Sequence, residues 1–344
     1  MKILVTGGAG YIGSHTCVEF INGGHAVVVI DNFCNSSVKS LEQVRKITNC
    51  SQEQFFIYHG DICDKLVLQK IFKTHCIDAV VHFAGFKSVS ESFEKPLEYY
   101  RNNVVGTLNL LDEMEKVRVR TIIFSSSATV YGKPKSVPIK ESAPVSAINP
   151  YGRSKLIVEN ILQDLYVARP NWNIGLLRYF NPVGAHQSGM IGELLNGVPS
   201  NIMPIICQVA TGKLEKVKIF GGDYSTHDGT GVRDYIHIVD LARGHIAALN
   251  FLVNGDGKVK NNGVLVANLG TGKGYSVLEL MQSFEKVTDK KIPYEIICRR
   301  DGDVAECFAD TELAEKKIGW KSQLTLQDMC EDAWRWVSNN EGEY

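Results

Sequence analysis

The chain has 344 residues, 44% of them hydrophobic and 22% charged, and its 37 lysines and arginines nearly balance 38 aspartates and glutamates for a formal net charge of -1. That length is more than one small core requires and points to two lobes. The composition excludes a disordered chain, and mixed charge without a basic stripe excludes a nucleic-acid partner and favours a small molecule. Nine scattered cysteines, odd in number and without a Cys-x-x-Cys pair, fit reduced thiols rather than a disulfide framework or a metal site. No run of about 18 apolar residues occurs, so the reading is a soluble, cytoplasmic protein with no membrane partner.

Apolar runs of strand length come in order at Ile3–Thr6, Ala26–Ile30, Phe55–His59, Ala79–Phe83, Thr121–Ser125 and Asn173–Leu177. Helix-length amphipathic stretches separate them, near 12–22, 38–48, 64–73, 96–115 and 151–167. Continuous apolar strands alternating with helices predict a parallel sheet covered on both faces, the doubly wound Rossmann-type α/β plan. Beyond residue 180 the rhythm breaks. Prolines and glycines cluster through 182–231, and helices follow near 239–252 and 276–288. The expectation is a dinucleotide-binding domain over 1–180 and a smaller mixed α/β substrate lobe over 181–344, with 237–262 packing back onto the first domain. The last residues, 339–344, read as a frayed tail.

Gly7, Gly10 and Gly13 fall on a GxxGxxG spacing between the first strand and the first helix. Missing side chains there permit a tight turn and close approach of backbone N–H groups to a pyrophosphate, with the helix N-terminus adding positive potential. Asp31 ends the next strand, 18 residues after Gly13. A carboxylate at that place accepts from both ribose hydroxyls and repels a 2′-phosphate, which favours NAD over NADP. Asp61-Ile62 ends the third strand where such folds meet adenine, although an N-cap role suits Asp61 equally. Phe83, Ala84 and Gly85 end the fourth strand with small residues that admit the cofactor, and Lys87 follows.

Tyr151 and Lys155 lie four residues apart on a predicted helix and share one face. A tyrosine has a reference pKa near 10 and is a poor base at neutral pH; a neighbouring ammonium and a positive nicotinamide ring favour its phenolate. Ser125-Ser126-Ser127 ends the fifth strand at the sheet edge where open α/β folds hold ligands. A serine there can bridge the substrate oxygen and the tyrosine.

Ten segments carry a resemblance over nearly the whole chain: VTGGAGYIGSH, DNFCNS, HFAGFKSV, NNVVGTLNLL, FSSSATVYG, NPYGRSK, LRYFNPVGAH, GTGVRDYIHIVDLA, NLGTGKGYSV and RRDGDVAEC. The sequence resembles the UDP-glucose 4-epimerase family of the extended short-chain dehydrogenase/reductases. That resemblance implies reversible interconversion of UDP-galactose and UDP-glucose by transient oxidation at carbon 4 with bound NAD. It implies that Tyr11, Ile12, Asp31, Asn32, Phe33, Cys34, Asn35, Ser36, Asp61, Ile62, Phe83, Ala84, Gly85, Phe86, Lys87, Asn102 and Phe180 line the cofactor. Ser127, Tyr151 and Lys155 are the implied catalytic set, and Lys87, Asn181, Asn201, Ile202, Phe220, Arg233, Tyr235, Arg300, Asp303 and Cys307 the implied UDP-sugar site. Counting back from Tyr151 selects Ser126 instead of Ser127, because the intervening loop is one residue shorter than in the family; matching along the strand selects Ser127. Family members pair two helices across a two-fold axis, which implies a homodimer through the 96–115 and 151–167 stretches, with Leu97, Tyr100, Val104, Leu108, Leu111, Leu156, Ile161 and Leu165 as the apolar positions.

The chemistry asks for the same residue types. Arg233 and Arg300 suit diphosphate oxygens through guanidinium forks, Asn181 and Asn201 suit hydroxyls or phosphates, and Asp303 suits a ribose hydroxyl. A sugar-nucleotide 4,6-dehydratase needs a carboxylate pair after this strand's serine or threonine, whereas this chain reads Ser127-Ala128-Thr129. A UDP-glucuronate epimerase or decarboxylase, and a non-catalytic NAD-binding sensor, stay open as alternatives. Cys307 is short where some family members carry tyrosine, which predicts that UDP-N-acetylhexosamines are also accepted.

Overall fold

The computed structural model describes residues 1–194, 199, 201–254, 263–300 and 302–340. Its strands are β1 (Lys2–Thr6), β2 (Ala26–Asp31), β3 (Phe55–His59), β4 (Ala79–His82), β5 (Thr121–Ser127), β6 (Asn173–Tyr179), β7 (Asn181–Val183), β8 (Val217–Phe220), β9 (Val232–Arg233), β10 (Tyr235–His237), β11 (Gly263–Leu269), β12 (Tyr275–Ser276), β13 (Tyr294–Ile297) and β14 (Glu306–Cys307). The helices are α1 (Tyr11–Asn22), α2 (Val38–Thr48), α3 (Lys65–Thr74), α4 (Val89–Glu94), α5 (Pro96–Tyr100), α6 (Gly106–Val117), α7 (Pro150–Ala168), α8 (Ile202–Ala210), α9 (Ile238–Asn254), α10 (Val277–Thr288), α11 (Glu312–Ile318) and α12 (Leu326–Asn339).

Seven strands form one sheet in the order β11-β6-β5-β4-β1-β2-β3, and every pairing in it is parallel. The apolar runs are continuous because both faces are covered. Ile3, Val5, Val27 and Val29 point to a face packed by α1, α2 and α9. Leu4, Val28 and Ile30 point to the other, under α3, α6 and α7. Strand order reverses between β1 and β4, which puts the ligand crevice at their C-terminal ends. A separate core holds Met203, Ile206, Leu280, Phe284 and Trp336 of α8, α10 and α12.

Three expectations change. The predicted 96–115 helix is broken: Pro96 starts a short α5, a π-type turn covers Arg101–Val105, and α6 begins at Gly106. A side chain at Gly106 would lie 2.6 Å from Ile62 Cδ1, so only glycine lets α6 come so close. The sheet also has a seventh strand, β11, drawn from late in the chain beside β6. Helix α9 packs on α1 and lies against β6, while residues 255–262 of the returning segment fall outside the described residues. Finally, Asn339 closes α12, and Asn340 donates to the carbonyls of Gly189 at 3.0 Å and Trp336 at 2.8 Å. The expected fraying thus does not begin at 339; residues 341–344 lie outside the described set.

Behind the end of β5 lies a buried ion pair. Arg178 of β6 grips Glu159 of α7 in a two-toothed bond, Nη2 to Oε2 at 2.6 Å and Nε to Oε1 at 3.0 Å. Glu159 is fully buried and Arg178 is 5% exposed. Ser126 donates to the same carboxylate at 2.5 Å, and Arg178 also donates to the Tyr131 hydroxyl at 3.0 Å. Removing one member leaves the other as an uncompensated buried charge. Glu159→Gln is therefore expected to destabilise the fold by about 3–5 kcal/mol, read as a lower urea midpoint; an unchanged midpoint would contradict this account of the β5–β6 junction.

Candidate active site

The turn after β1 is shaped by its glycines. Gly7 has φ +68°, and a side chain there would meet the Ala84 backbone nitrogen at 2.7 Å, while one at Gly13 would collide with the Gly7 carbonyl. Gly10 precedes α1 with no side-chain cap and no acid follows in the first turn, so the first amides of the helix face the cleft without an internal anion. This cradle fits a pyrophosphate. At the end of β2, Asp31 is held in place by the amides of Ala9 and Phe33, each at 2.9 Å, and by the Ser36 hydroxyl at 2.8 Å. A fixed carboxylate at this strand end suits a ribose diol and disfavours a 2′-phosphate. Asn32 donates to Asp61 at 2.7 Å. Asp61 accepts from the Cys63 amide at 2.8 Å, and the N-cap of α3 is Asp64.

Gly7, Gly10, Tyr11, Ile12, Gly13, Asn32, Cys34, Asn35, Ser36, Asp61, Ile62, Asn102 and Phe180 line one cleft, together with Phe83 to Lys87. Phe33 does not: at φ 57° it stacks edge-on against His59 and packs on the core.

The reacting groups stand at the far end of this cleft. Successive side chains alternate across the pleat of β5. Ser126 turns inward to Glu159, and Ser127 faces the cleft beside the Tyr151 phenol. The Ser127 oxygen accepts from the Thr129 amide at 3.2 Å and the Thr129 hydroxyl at 3.0 Å, which leaves its own proton to point at another oxygen. Asn149 caps α7 by accepting from the Gly152 amide at 2.7 Å, and Pro150 starts the helix, so Tyr151 sits in its rigid first turn. Lys155 donates to the Ser125 carbonyl at 2.7 Å and lies 5.9 Å from the centre of the Tyr151 ring.

Burial acts on both members of the Tyr151–Lys155 pair. Burial holds the Tyr151 phenol above its usual value, opposed first by its hydrogen bond with the Ser127 hydroxyl and then by the Lys87 ammonium. Lys155 is itself pulled down to about 8 by burial. Four-residue spacing puts the ammonium on the same helix face as the phenol, where it also donates to the Ser125 carbonyl.

The residues expected at the UDP-sugar fall into two groups. Lys87, Asn181 and Asn201 line the cleft with Tyr151. A second group is built around β9: Arg233 and Cys307 are register partners, Arg233 faces Asp303 at 3.8 Å, and Arg300 lies 3.8 Å over the Phe220 ring. Phe180 joins the groups, since it lines the cleft and packs in one cluster with Cys307. Two residues stand apart: Tyr235 is 2% exposed in the C-terminal core, and Ile202 packs against that core from the first turn of α8.

Three working residues went unremarked in the sequence. Asn103, buried in the π-type turn, bonds both backbone groups of Phe86 and the Ser154 hydroxyl, tying the turn after β4 to α7. Its neighbour Asn102 donates to it at 2.9 Å. Asp234 accepts from the amides of Thr271, Gly272 and Ala309 and from the Thr271 hydroxyl, pinning two loops to the end of β9. Glu193 holds Lys87 and Asn201. The doubled asparagine and the Arg-Asp pair were visible as motifs, but their partners were not. No group of side chains suited to a metal ion occurs among the described residues.

The parallel sheet, the glycine turn opposite Asp31 and the Ser–Tyr–Lys set define a dinucleotide-dependent enzyme of the extended short-chain dehydrogenase/reductase class. The family model described as GDP-mannose 4,6 dehydratase matches residues 4–333. A UDP-glucose 4-epimerase of Bacillus subtilis (strain 168) is 53% identical over 344 residues, covering 100% of this chain and 99% of that one. Among solved structures, a UDP-glucose 4-epimerase from Bifidobacterium longum in complex with NAD+ and UDP is 50% identical, with TM-score 0.94 and complete coverage of both chains. Another from Stenotrophomonas maltophila, with bound NAD and formylated UDP-arabinopyranose, is 48% identical, with TM-score 0.95 and the same coverage. The chain belongs to the UDP-glucose 4-epimerase family. Within the broader dehydratase-named group it lacks the dehydratase carboxylates, having Ala128 and Thr129 after Ser127.

The two serines separate by experiment. Ser127→Ala is expected to lower turnover about a hundredfold, the scale for a positioned proton-handling group, with the fold intact. Ser126→Ala is expected to cost about 1–3 kcal/mol of stability by unsatisfying Glu159, with turnover little changed. The reverse pattern of rates would mean that Ser126 is the serine at the reacting oxygen.

Proposed function

We infer that this chain interconverts UDP-galactose and UDP-glucose by reversible oxidation and reduction at carbon 4 of the hexose, with NAD as its cofactor. The observation that carries the reading is the placing of Ser127, Tyr151 and Lys155 at the end of a cleft whose other end is the Gly7–Asp31 cradle. When bound, NAD supplies a hydride acceptor that is restored each time the hydride returns. Gly7, Gly10, Gly13, Asp31 and Asp61 would hold its phosphates and adenosine, and Lys155 its second ribose.

The chain's own groups manage the proton. Tyr151 Oη takes the proton of the 4-hydroxyl and returns it after the sugar presents its other face. Ser127 donates to the oxygen at carbon 4 and steadies it as it becomes a carbonyl. Lys87, the cation that opposes the burial of the phenol, favours the charged form of Tyr151. Arg233 and Arg300 hold the diphosphate while the hexose swings, so binding is strong at the nucleotide and loose at the sugar. With Ala128 and Thr129 at the strand end, no carboxylate stands ready for an elimination, which favours epimerisation over dehydration.

In this reading residues 1–180 carry the cofactor and 181–344 carry the UDP-sugar. The protein works as a homodimer in a reducing, cytoplasmic compartment. Support for the dimer is the apolar surface of Val89, Phe93, Leu97, Val105 and Leu108 on one side and Ile157 and Val167 of α7, all more than a third exposed. Of the positions expected from spacing, Leu111 of α6 is buried, and Val104, Ile161 and Leu165 pack on their own sheet. The compartment is supported by nine cysteines without a disulfide. Among the described residues no helix is long and apolar enough to cross a membrane.

The substrate range extends to UDP-N-acetylglucosamine and UDP-N-acetylgalactosamine. Cys307 packs against the small cluster that contains the cleft residue Phe180, as does Ala128, and burial pushes its thiol up to about 11. A tyrosine at this position would fill the space that an acetamido group needs, and close-packed walls do not absorb such overlap. Cys307→Tyr is expected to abolish N-acetylhexosamine turnover and largely spare the simple hexoses; absence of that turnover in the wild type at millimolar substrate would contradict the extension alone. Tyr151→Phe tests the main reaction: turnover of UDP-galactose is expected to fall at least about a hundredfold with UDP binding retained. Near-normal turnover in that variant would remove Tyr151 from the proton step.

A further inference from the structure

Glu193 takes no part in the chemistry above, yet its carboxylate stands in the wall of the cleft. One oxygen, Oε1, accepts from the Lys87 ammonium at 2.9 Å and from the Asn201 side-chain amide at 2.9 Å. The Glu193 side chain is 14% exposed and that of Lys87 59%, so the pair straddles the boundary between cleft wall and solvent. Its two donors come from distant parts of the fold. Lys87 follows β4, whereas Asn201 occupies the N-cap position of α8 and makes no capping bond to its own helix. An N-cap asparagine ordinarily bonds its own first turn. Here that bond is forgone, and the side chain turns to Glu193. Tyr11, which also lines the cleft, feels this carboxylate as well.

Both donors belong to the set that the reading above gives to the UDP-sugar, and the inference rests on that reading. A UDP-sugar is anionic through its diphosphate. It brings negative charge toward an ammonium and an amide that a carboxylate already engages, and like charges in a partly dry cleft repel. We propose that Glu193 is a positioning residue that holds Lys87 and Asn201 at the cleft wall and competes with the nucleotide's anionic groups for them, so that UDP-sugars bind less tightly than the cationic side chains alone would allow. A weaker grip on nucleotide equal in substrate and product lowers no chemical barrier, but it hastens product release.

The test is titration of UDP into purified holoenzyme by calorimetry, comparing wild type, Glu193→Gln and Glu193→Asp. Glutamine keeps an acceptor for Asn201 and removes the charge. It is expected to tighten UDP binding by about three- to fivefold, the scale of a half-exposed ion pair, and to lower KM for UDP-galactose more than it changes the chemical step measured in a single turnover. Aspartate keeps the charge and is expected to bind UDP within about twofold of wild type. A purely structural tie predicts the opposite sign, because loosening Lys87 and Asn201 weakens binding in both variants. Equal or weaker UDP binding by Glu193→Gln overturns the proposal, and so does equal tightening in both variants. Wild-type conversion of UDP-galactose, measured on the same preparation, separates the two levels. If it proceeds while Glu193→Gln fails to tighten, only this inference falls; if the wild type neither binds UDP nor converts the sugar, the reading beneath it falls as well.

Discussion

Everything in the site depends on how closely the turn after β1 approaches the turn after β4. Gly7 sits against the backbone of Ala84 with no room for a side chain. That contact exists because β1 pairs with β4 on one side and β2 on the other, so the two turns leave the sheet at its reversal point. The same junction places Asp31 at one end of the crevice and Phe86 and Lys87 at the other. A chain that could not close this approach would have the residues of the site without the site.

From that junction the catalytic end is reached by a chain of buried polar bonds rather than by apolar packing. Asn103 carries the turn after β4 to Ser154 on α7, one turn of helix from Tyr151. Glu159, lower on the same helix, grips Arg178 and Ser126 and thereby fixes the pleat of β5 so that Ser127 faces inward to the cleft. Buried networks of this kind are weak sources of net stability, but they specify one arrangement when every member is satisfied. Asp234 plays the corresponding part for the second wall, where two loops converge on the end of β9. The arrangement of the site thus rests on buried groups that stand outside the proposed catalytic set.

The sheet was legible in the sequence wherever strands are buried on both faces. Leu4, Val28 and Val80 belong to runs too apolar to be anything but core. β11 escaped, although Val264-Leu265-Val266 is such a run, because it follows a region where the alternation of strand and helix has lapsed. The strands β7, β9, β10, β12 and β14 have two or three residues each and are set by their partners, which leaves no periodic signal to read. At the site, residue types and spacing were enough to gather Tyr151, Lys155 and the glycine turn. Matching along the strand chose Ser127 over Ser126, but only the structure supplies a physical reason, Glu159 standing behind Ser126 and engaging its hydroxyl. Residue types and spacing could not weigh Lys155 against burial of the phenol, because charge is written in the sequence and desolvation is not. The π-type turn around Asn103 reads as ordinary helix until the contact of Gly106 with Ile62 is seen.

The central claim is that the hydrogen removed from carbon 4 returns to the same carbon from the other face, with nothing lost to water. UDP-galactose carrying deuterium at carbon 4 tests it directly. After conversion by the purified protein in ordinary water, the account predicts UDP-glucose that retains the deuterium at carbon 4. Replacement of that label by solvent hydrogen, or its appearance elsewhere in the sugar, would contradict it.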